Sequence, residues 1–178
     1  MSVLIETSLG DIVIDLFVDK CPRTTNNFLQ HCKNKYYNGC LFHNIHKDFI
    51  AQTGDPTGTG TGGRSVYEDR FFGDEIRADL KHDRVGTVGM ASAGRDLNAS
   101  QFYITLRDNL HYLDEKHTIF GEVAEGLETL TRINQTVVDE ENRPQKLIHQ
   151  IDIILLLLLF KLLLKSPSNY TINFSFID

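Results

Sequence analysis

The sequence predicts an all-β barrel with helical caps. Short apolar runs recur along residues 1–154, separated by Gly-, Asn- and Asp-rich connections. Only two stretches carry the 3.6-residue apolar period of a helix. Strands do not alternate with helices as a doubly wound sheet requires, and no internal repeat is visible.

Val3–Thr7 and Ile12–Phe17 read as strands around a turn at Leu9-Gly10-Asp11, with Ile12, Ile14 and Leu16 on one face. Pro22 suits the first turn of a helix in which Thr25, Phe28, Leu29 and Cys32 form an i, i+3, i+4, i+7 stripe. Further strands are expected at Leu41–His43, Phe49–Thr53, Val85–Ala91, Phe102–Thr105 and Thr118–Val123. The second helix is expected at Leu127–Asn134, with Leu127, Leu130 and Ile133 on one side, and a last strand at Leu147–Ile154.

At 178 residues the chain suits one domain, and its formal net charge is −6. An acidic chain without a Lys/Arg run lacks the basic face that non-specific nucleic-acid binding needs, so no direct nucleic-acid contact is expected. MSVLIETSLGDIVIDLF has neither the basic n-region nor the uninterrupted apolar core of a signal peptide, so the protein is not expected to be secreted. Three cysteines, Cys21, Cys32 and Cys40, fit a reduced compartment better than a disulfide framework. Cys40, His43 and His46 recur at three-residue spacing, but no second ligand pair accompanies them and no metal is expected.

GDPTGTGTGGRS, Gly54–Ser65, matches two phosphate-binding patterns loosely. Gly58, Gly60 and Gly63 fit G-x-G-x-x-G; Gly58 and Gly63 followed by Arg64-Ser65 approach G-x-x-x-x-G-K-[ST]. Both patterns need a helix starting at the last glycine, to offer free N–H groups to the anion. Ser65–Asp74 shows no helical period and meets Gly73, so these glycines are expected to serve positive-φ backbone geometry.

After Ile154 the composition changes. ILLLLLFKLLLK falls short of the roughly 20 apolar residues that cross a bilayer, so no membrane span is expected. SPSNYTINFSFID joins no earlier pattern. Residues 155–178 are expected to lie outside a folded domain of residues 1–154.

FHNIHKDFIAQTGDPTGTGTGG, GTVGMASAGRDLNASQFYIT and YLDEKHTIFGEV, with GDIVIDLF, PRTTNNF and YYNGCLFH ahead of them, resemble the cyclophilins, the cyclosporin-binding peptidyl-prolyl cis-trans isomerases. The likeness covers residues 1–154. It implies a mostly β fold, a closed eight-stranded antiparallel barrel capped by two α-helices. It further implies a monomer without cofactor that acts on X–Pro bonds of peptides and proteins. The glycine-rich stretch then becomes a surface loop beside the peptide groove.

Carried over position by position, the resemblance implies that Phe49, Ile50, Tyr103 and Leu113 form the apolar wall for the proline ring. Gln52 lies beneath the position of the catalytic arginine. Ala91, Ser92 and Gln101 hold the peptide backbone, with Ser92 standing where asparagine is usual. His117 matches the rim histidine. Tyr112 replaces the tryptophan that helps bind cyclosporin, which implies weak binding of that ligand. Asn44, Phe49, Gln52, Gln101 and His117 make up the expected catalytic set.

Turning an X–Pro bond breaks no covalent bond; amide resonance is lost over a barrier near 20 kcal/mol. A site needs only to bind the twisted amide better than the planar forms. An apolar socket, donors on the carbonyl side and a donor to the freed proline nitrogen suffice. The resemblance gives that last role to an arginine, and this chain has Asn44 there. Asparagine is neutral and short. Losing a charge-assisted hydrogen bond costs about 1.5–3 kcal/mol, or about 10- to 150-fold in rate. His46 and Lys47 are the neighbouring substitutes. A weakened isomerase is expected, with a proline-peptide binding module lacking turnover as the alternative. Asn44 and the segment INQTVVDEENRPQKLIHQIDI resemble nuclear cyclophilin-like proteins with a downstream RNA-recognition domain, which implies a nuclear location, and otherwise a cytoplasmic one. No segment of this sequence resembles that domain's aromatic strands.

Overall fold

The computed structural model describes the backbone of residues 1–156 and the side chains of residues 1–149. Strands β1 (Ser2–Thr7) and β2 (Gly10–Leu16) pair antiparallel, Val3 opposite Ile14 and Ile5 opposite Ile12, and these four side chains are fully buried. The two-residue alternation read from Ile12, Ile14 and Leu16 is therefore the inward face of the sheet.

Helix α1 (Pro22–Lys33) begins with Pro22 in its first turn and has no capping side chain of its own. Glu75, from a distant loop, takes that role. Its carboxylate accepts the N–H groups of Arg23 at 3.1 Å and Thr24 at 2.7 Å, putting negative charge at the helix's positive end. Thr25, Phe28 and Cys32 of the expected stripe are buried, and Leu29 is half-buried. The buried face is wider than that stripe because its polar members are satisfied inside the protein. Asn27 bonds the Ala99 carbonyl and the Val66 N–H, and His31 the Arg64 carbonyl. Phe28 seats the helix on the sheet, its ring 5.4, 5.3 and 5.4 Å from those of Tyr37, Phe102 and Phe120.

The remaining elements are β3 (Asn44–His46), β4 (Ile50–Thr53), β5 (Thr87–Met90), β6 (Phe102–Thr105), β7 (Ile119–Glu125), α2 (Leu127–Asn134) and β8 (Gln150–Leu156), with a 3-10 turn at His111–Leu113. The strands form one antiparallel sheet in the order β3-β4-β6-β5-β7-β2-β1-β8. Its two ends approach each other. Leu41, ahead of β3, bridges His149, ahead of β8, and the Phe42 N–H donates to the Ile148 carbonyl. The sheet is therefore curled. The closed barrel expected from the sequence is met in part: among the described residues no ladder joins β3 to β8, because the chain leaves this seam and pairs with β4 from Asn44 onward.

That also moves the strand expected at Leu41–His43 to Asn44–His46. The β3–β4 hairpin turns through Lys47 and Asp48, where Asp48 has a φ of 54° and the Phe49 N–H reaches the His46 carbonyl at 3.0 Å. A strand as short as Asn-Ile-His offers no apolar alternation to read. Leu127, expected on the buried side of α2, is 50 % exposed at the helix's first position, while Thr129, Leu130 and Ile133 are buried. Strand β8 pairs Leu155 with Val3 and Leu156 with Ser2, two residues past the expected boundary. Residues 157–178, the greater part of the expected tail, lie outside the described residues. No described helix is long and apolar enough to cross a membrane.

Candidate active site

Strands β4 and β6 lie side by side, with Gln52 opposite Tyr103. Strand alternation sends Phe102 and Ile104 into the core and turns Tyr103 to the other side, into the wall of a groove of about 450 Å³. Phe49, Ile50, Leu113 and Tyr103, the residues expected to form an apolar wall, line this groove. Gln52, Gln101, Ala91, Ser92 and His117 line it too. Asn44 does not. It lies in an adjoining cavity of about 220 Å³, and Gln52 and Gly60 line both spaces. Tyr112 stands outside the lining, half-exposed, with its ring stacked on Phe49 at 5.9 Å.

The polar side of the groove is a fixed chain of amides. Gln52 Nε2 donates to Gln101 Oε1 at 2.8 Å, and Gln101 Nε2 donates to the carbonyls of Gly60 at 3.1 Å and Gly62 at 2.9 Å. Both hydrogens of the Gln101 amide are thereby committed, leaving the second hydrogen of Gln52 Nε2 as the free donor. Asn44 Nδ2 reaches Gln52 Oε1 only at 3.5 Å, too long for a strong hydrogen bond.

The glycine-rich loop that presents these carbonyls is built around Asp55, which is fully buried. Its carboxylate accepts the N–H groups of Thr57 and Gly60 at 2.8 Å and of Gly62 at 3.0 Å, and the Thr57 hydroxyl at 2.8 Å. Burial raises the Asp55 carboxyl, but these hydrogen bonds outweigh it and hold the group below its ordinary value. The loop is an anion cradle occupied by the chain's own carboxylate, which is why the phosphate patterns mislead. Gly58, Gly60 and Gly63 adopt φ of 66°, 86° and 100°, the backbone role expected of them. Asp55 was not singled out by the sequence patterns, which weigh the glycines and ignore the acid ahead of them.

A second buried array supports the apolar wall. The Tyr103 hydroxyl lies 2.7 Å from His82 Nε2, and His82 Nδ1 lies 2.7 Å from Asp114 Oδ1, which also accepts the His82 backbone N–H at 2.9 Å. A carboxylate only accepts, so Nδ1 carries the hydrogen and Tyr103 donates to Nε2. Burial lowers the pKa of His82, against the opposing pull of Asp114. Gly89, opposite Tyr103, makes room for the phenol: a Cβ there would stand 2.6 Å from the hydroxyl oxygen. His82 and Asp114 come from separate loops, and no spacing in the sequence connects them.

His117 Nδ1 faces the Met90 carbonyl at 3.2 Å, and its ring meets that of Tyr103 edge-on at 5.7 Å. Burial lowers its pKa from the ordinary 6.5, so it is neutral at pH 7. Ser92 Oγ lies 3.4 Å from the same Nδ1, whose hydrogen points to Met90, so His117 is not placed to take a proton from that serine. Cys21, Cys32 and Cys40 are free and buried, and burial pushes the thiols of Cys21 and Cys40 up to about 11 and about 12. Cys40 sits in the core whereas His46 is exposed, so the spaced Cys40, His43 and His46 do not converge. Among the described residues no group of three or more His, Cys, Asp or Glu side chains could hold a metal ion.

An apolar wall facing a fixed chain of amides is a site shaped to hold a peptide segment. The chain matches the family described as cyclophilin type peptidyl-prolyl cis-trans isomerase over residues 2–153, and it belongs to that family. It is similar to peptidyl-prolyl cis-trans isomerase CYP59 of Arabidopsis thaliana, 67 % identical over 152 residues covering 82 % of this chain and 30 % of that protein. It is also similar to peptidyl-prolyl cis-trans isomerase-like 4 of Homo sapiens, 51 % identical over 150 residues covering 81 % of this chain and 30 % of that protein. It thus spans less than a third of the length of either relative. Among solved structures it is similar to a Cryptosporidium parvum cyclophilin type isomerase crystallised in the presence of the dipeptide Ala-Pro. The TM-score is 0.84 and the identity 42 %, over 86 % of this chain and 98 % of that one.

Proposed function

We propose that this chain catalyses the cis–trans isomerisation of X–Pro bonds in peptides and proteins, assisting their folding or remodelling, at a rate reduced by Asn44. The observation that carries this reading is the Gln52–Gln101 pair, locked to the Gly60 and Gly62 carbonyls and facing the wall of Phe49, Leu113 and Tyr103. The proline ring rests on the apolar wall. Ala91, Ser92 and Gln101 hold the flanking peptide, and the free hydrogen of Gln52 Nε2 faces the carbonyl side. One half of the bond is thereby held while the other turns. Preference for the twisted amide is the whole of the catalysis, and His117, neutral, serves as a rim contact.

A protease-free assay on X–Pro peptides tests the proposal; folded protein that leaves the uncatalysed rate unchanged removes it. Asn44→Arg is expected to raise the rate at least about tenfold, the lower end of what one charge-assisted hydrogen bond supplies. The 3.5 Å separation of Asn44 and Gln52 favours a second reading, a proline-peptide binding module without useful turnover. That reading predicts binding in titrations and no catalysed exchange.

The same proposal includes a monomer with weak affinity for cyclosporin, with Tyr112 offering a smaller ring than tryptophan. It also includes a nuclear location, tested by imaging the tagged chain, and a leucine-rich tail that contributes no site residue.

A further inference from the structure

We propose that Arg143, from the loop between α2 and β8, supplies the cationic donor that position 44 lacks. The inference rests on the isomerase reading above. Asn44 and Arg143 line the same cavity, together with Gln52, Gly60 and His43. Because Gln52 and Gly60 also line the peptide groove, that cavity opens beside the bond to be turned.

The guanidinium is loosely held. Its Nη2 donates to the Thr59 carbonyl at a long 3.3 Å, and its Nε lies 3.4 Å from a carboxylate oxygen of Glu141. The side chain is 48 % exposed, so both contacts are cheap to exchange. An acceptor lies on the groove side: among the described residues Gln52 Oε1, which lines both spaces, has only the 3.5 Å approach of Asn44. A guanidinium carries five donors in a planar fork, so it can bond Gln52 Oε1 and still face the proline nitrogen.

The other nearby cations are worse placed. Arg70 lines the groove but donates to the carbonyls of Thr61 at 3.0 Å and Gly63 at 3.2 Å, over the ring of Phe71. His46 packs edge-on against Phe49, and Lys47 is exposed in the β3–β4 turn; neither lines the groove or the adjoining cavity.

The test is NMR exchange spectroscopy on a short Ala-Pro peptide with the full 178-residue chain, together with peptide titration. Arg143→Ala is expected to lower kcat/KM at least about tenfold with little change in peptide affinity. Arg143→Lys, which keeps stem and charge without the fork, is expected to fall between and serves if the alanine variant does not fold. Asn44→Arg is expected to raise the rate by a larger factor in the Arg143→Ala background than in the wild type, since the two arginines fill one role. A merely structural Arg143 lowers the melting temperature and is not rescued at position 44. Wild-type exchange with Arg143→Ala inside about twofold of it overturns this inference alone, as does loss of activity in Arg70→Ala with Arg143→Ala unaffected. A wild type without catalysed exchange overturns the isomerase reading and this inference together.

Discussion

The hydroxyl of Tyr103 lies 2.7 Å from Nε2 of His82, a ring with no exposure to solvent. The phenol in the groove wall is thus pinned from behind, with Asp114 fixing the histidine's tautomer. Tyr103→Phe is expected to cost about 1–3 kcal/mol, because it strands a buried acceptor while keeping the wall's shape. Isomerisation should survive that change, and Tyr103→Ala should abolish it. Denaturant unfolding and peptide exchange measured on both variants separate the two effects. Equal activity of Tyr103→Ala and wild type would remove Tyr103 from the site.

Gly89 faces the same phenol. Its replacement by alanine places a methyl group against the Tyr103 ring, and overpacking of this kind costs about 1–3 kcal/mol. The change should be visible in both stability and peptide affinity, since the ring must shift into the groove.

Asp55 holds the loop whose carbonyls hold Gln101. Asp55→Ala strands the N–H groups of Thr57, Gly60 and Gly62, and a loss of at least about 2 kcal/mol is expected. Peptide affinity and turnover should fall with it, although Asp55 touches no substrate. Thermal unfolding and titration check this; a stable Asp55→Ala protein with unchanged affinity would mean that the loop holds itself.

Acid should weaken the fold through its buried histidines. Burial lowers His31 from its ordinary 6.5 to about 4, and it also lowers His43, His82 and His117. The unfolded chain therefore binds protons first as pH falls below 6.5, and stability drops with falling pH. The slope is about 1.4 kcal/mol per pH unit for each histidine still neutral in the fold. Between pH 7.5 and pH 7 little change is expected. Urea unfolding at pH 7.5, 6 and 5 reads this directly, and a flat profile would contradict it.

Because β8 runs to Leu156, the cut that tests the tail is removal of residues 157–178. Such a chain is expected to keep its fold and activity and to gain solubility, since it sheds a leucine-rich segment. Unfolding of the shortened chain would place those leucines in the core.

Much of this was legible in the sequence where local periodicity and burial agree. Helix α2 and strand β6 have the bounds that pattern alone assigns, and the stripe through Phe28 and Cys32 is the buried side of α1. Strand β3 was not legible, because its pairing comes from a turn at Asp48 rather than from alternation. Motif order brought Phe49, Gln52, Gln101, Tyr103 and Leu113 to one groove. The residues behind them were hidden. Asp55 acts through the backbone N–H groups of its own loop, which no glycine pattern records, and His82 through Tyr103 and Asp114, which are distant in sequence. Arg143 shares a cavity with Asn44 because the chain folds back beside β3, where the Ile45 N–H donates to the Asn142 carbonyl at 2.8 Å.

The account's central claim is that the groove turns the X–Pro bond as well as binding it. NMR exchange spectroscopy of a short Ala-Pro peptide, with catalytic amounts of the wild-type chain, tests this most directly. The predicted result is cis–trans exchange faster than in the free peptide, and faster again with Asn44→Arg. Chemical-shift changes that report binding, with exchange no faster than in the peptide alone, would contradict it.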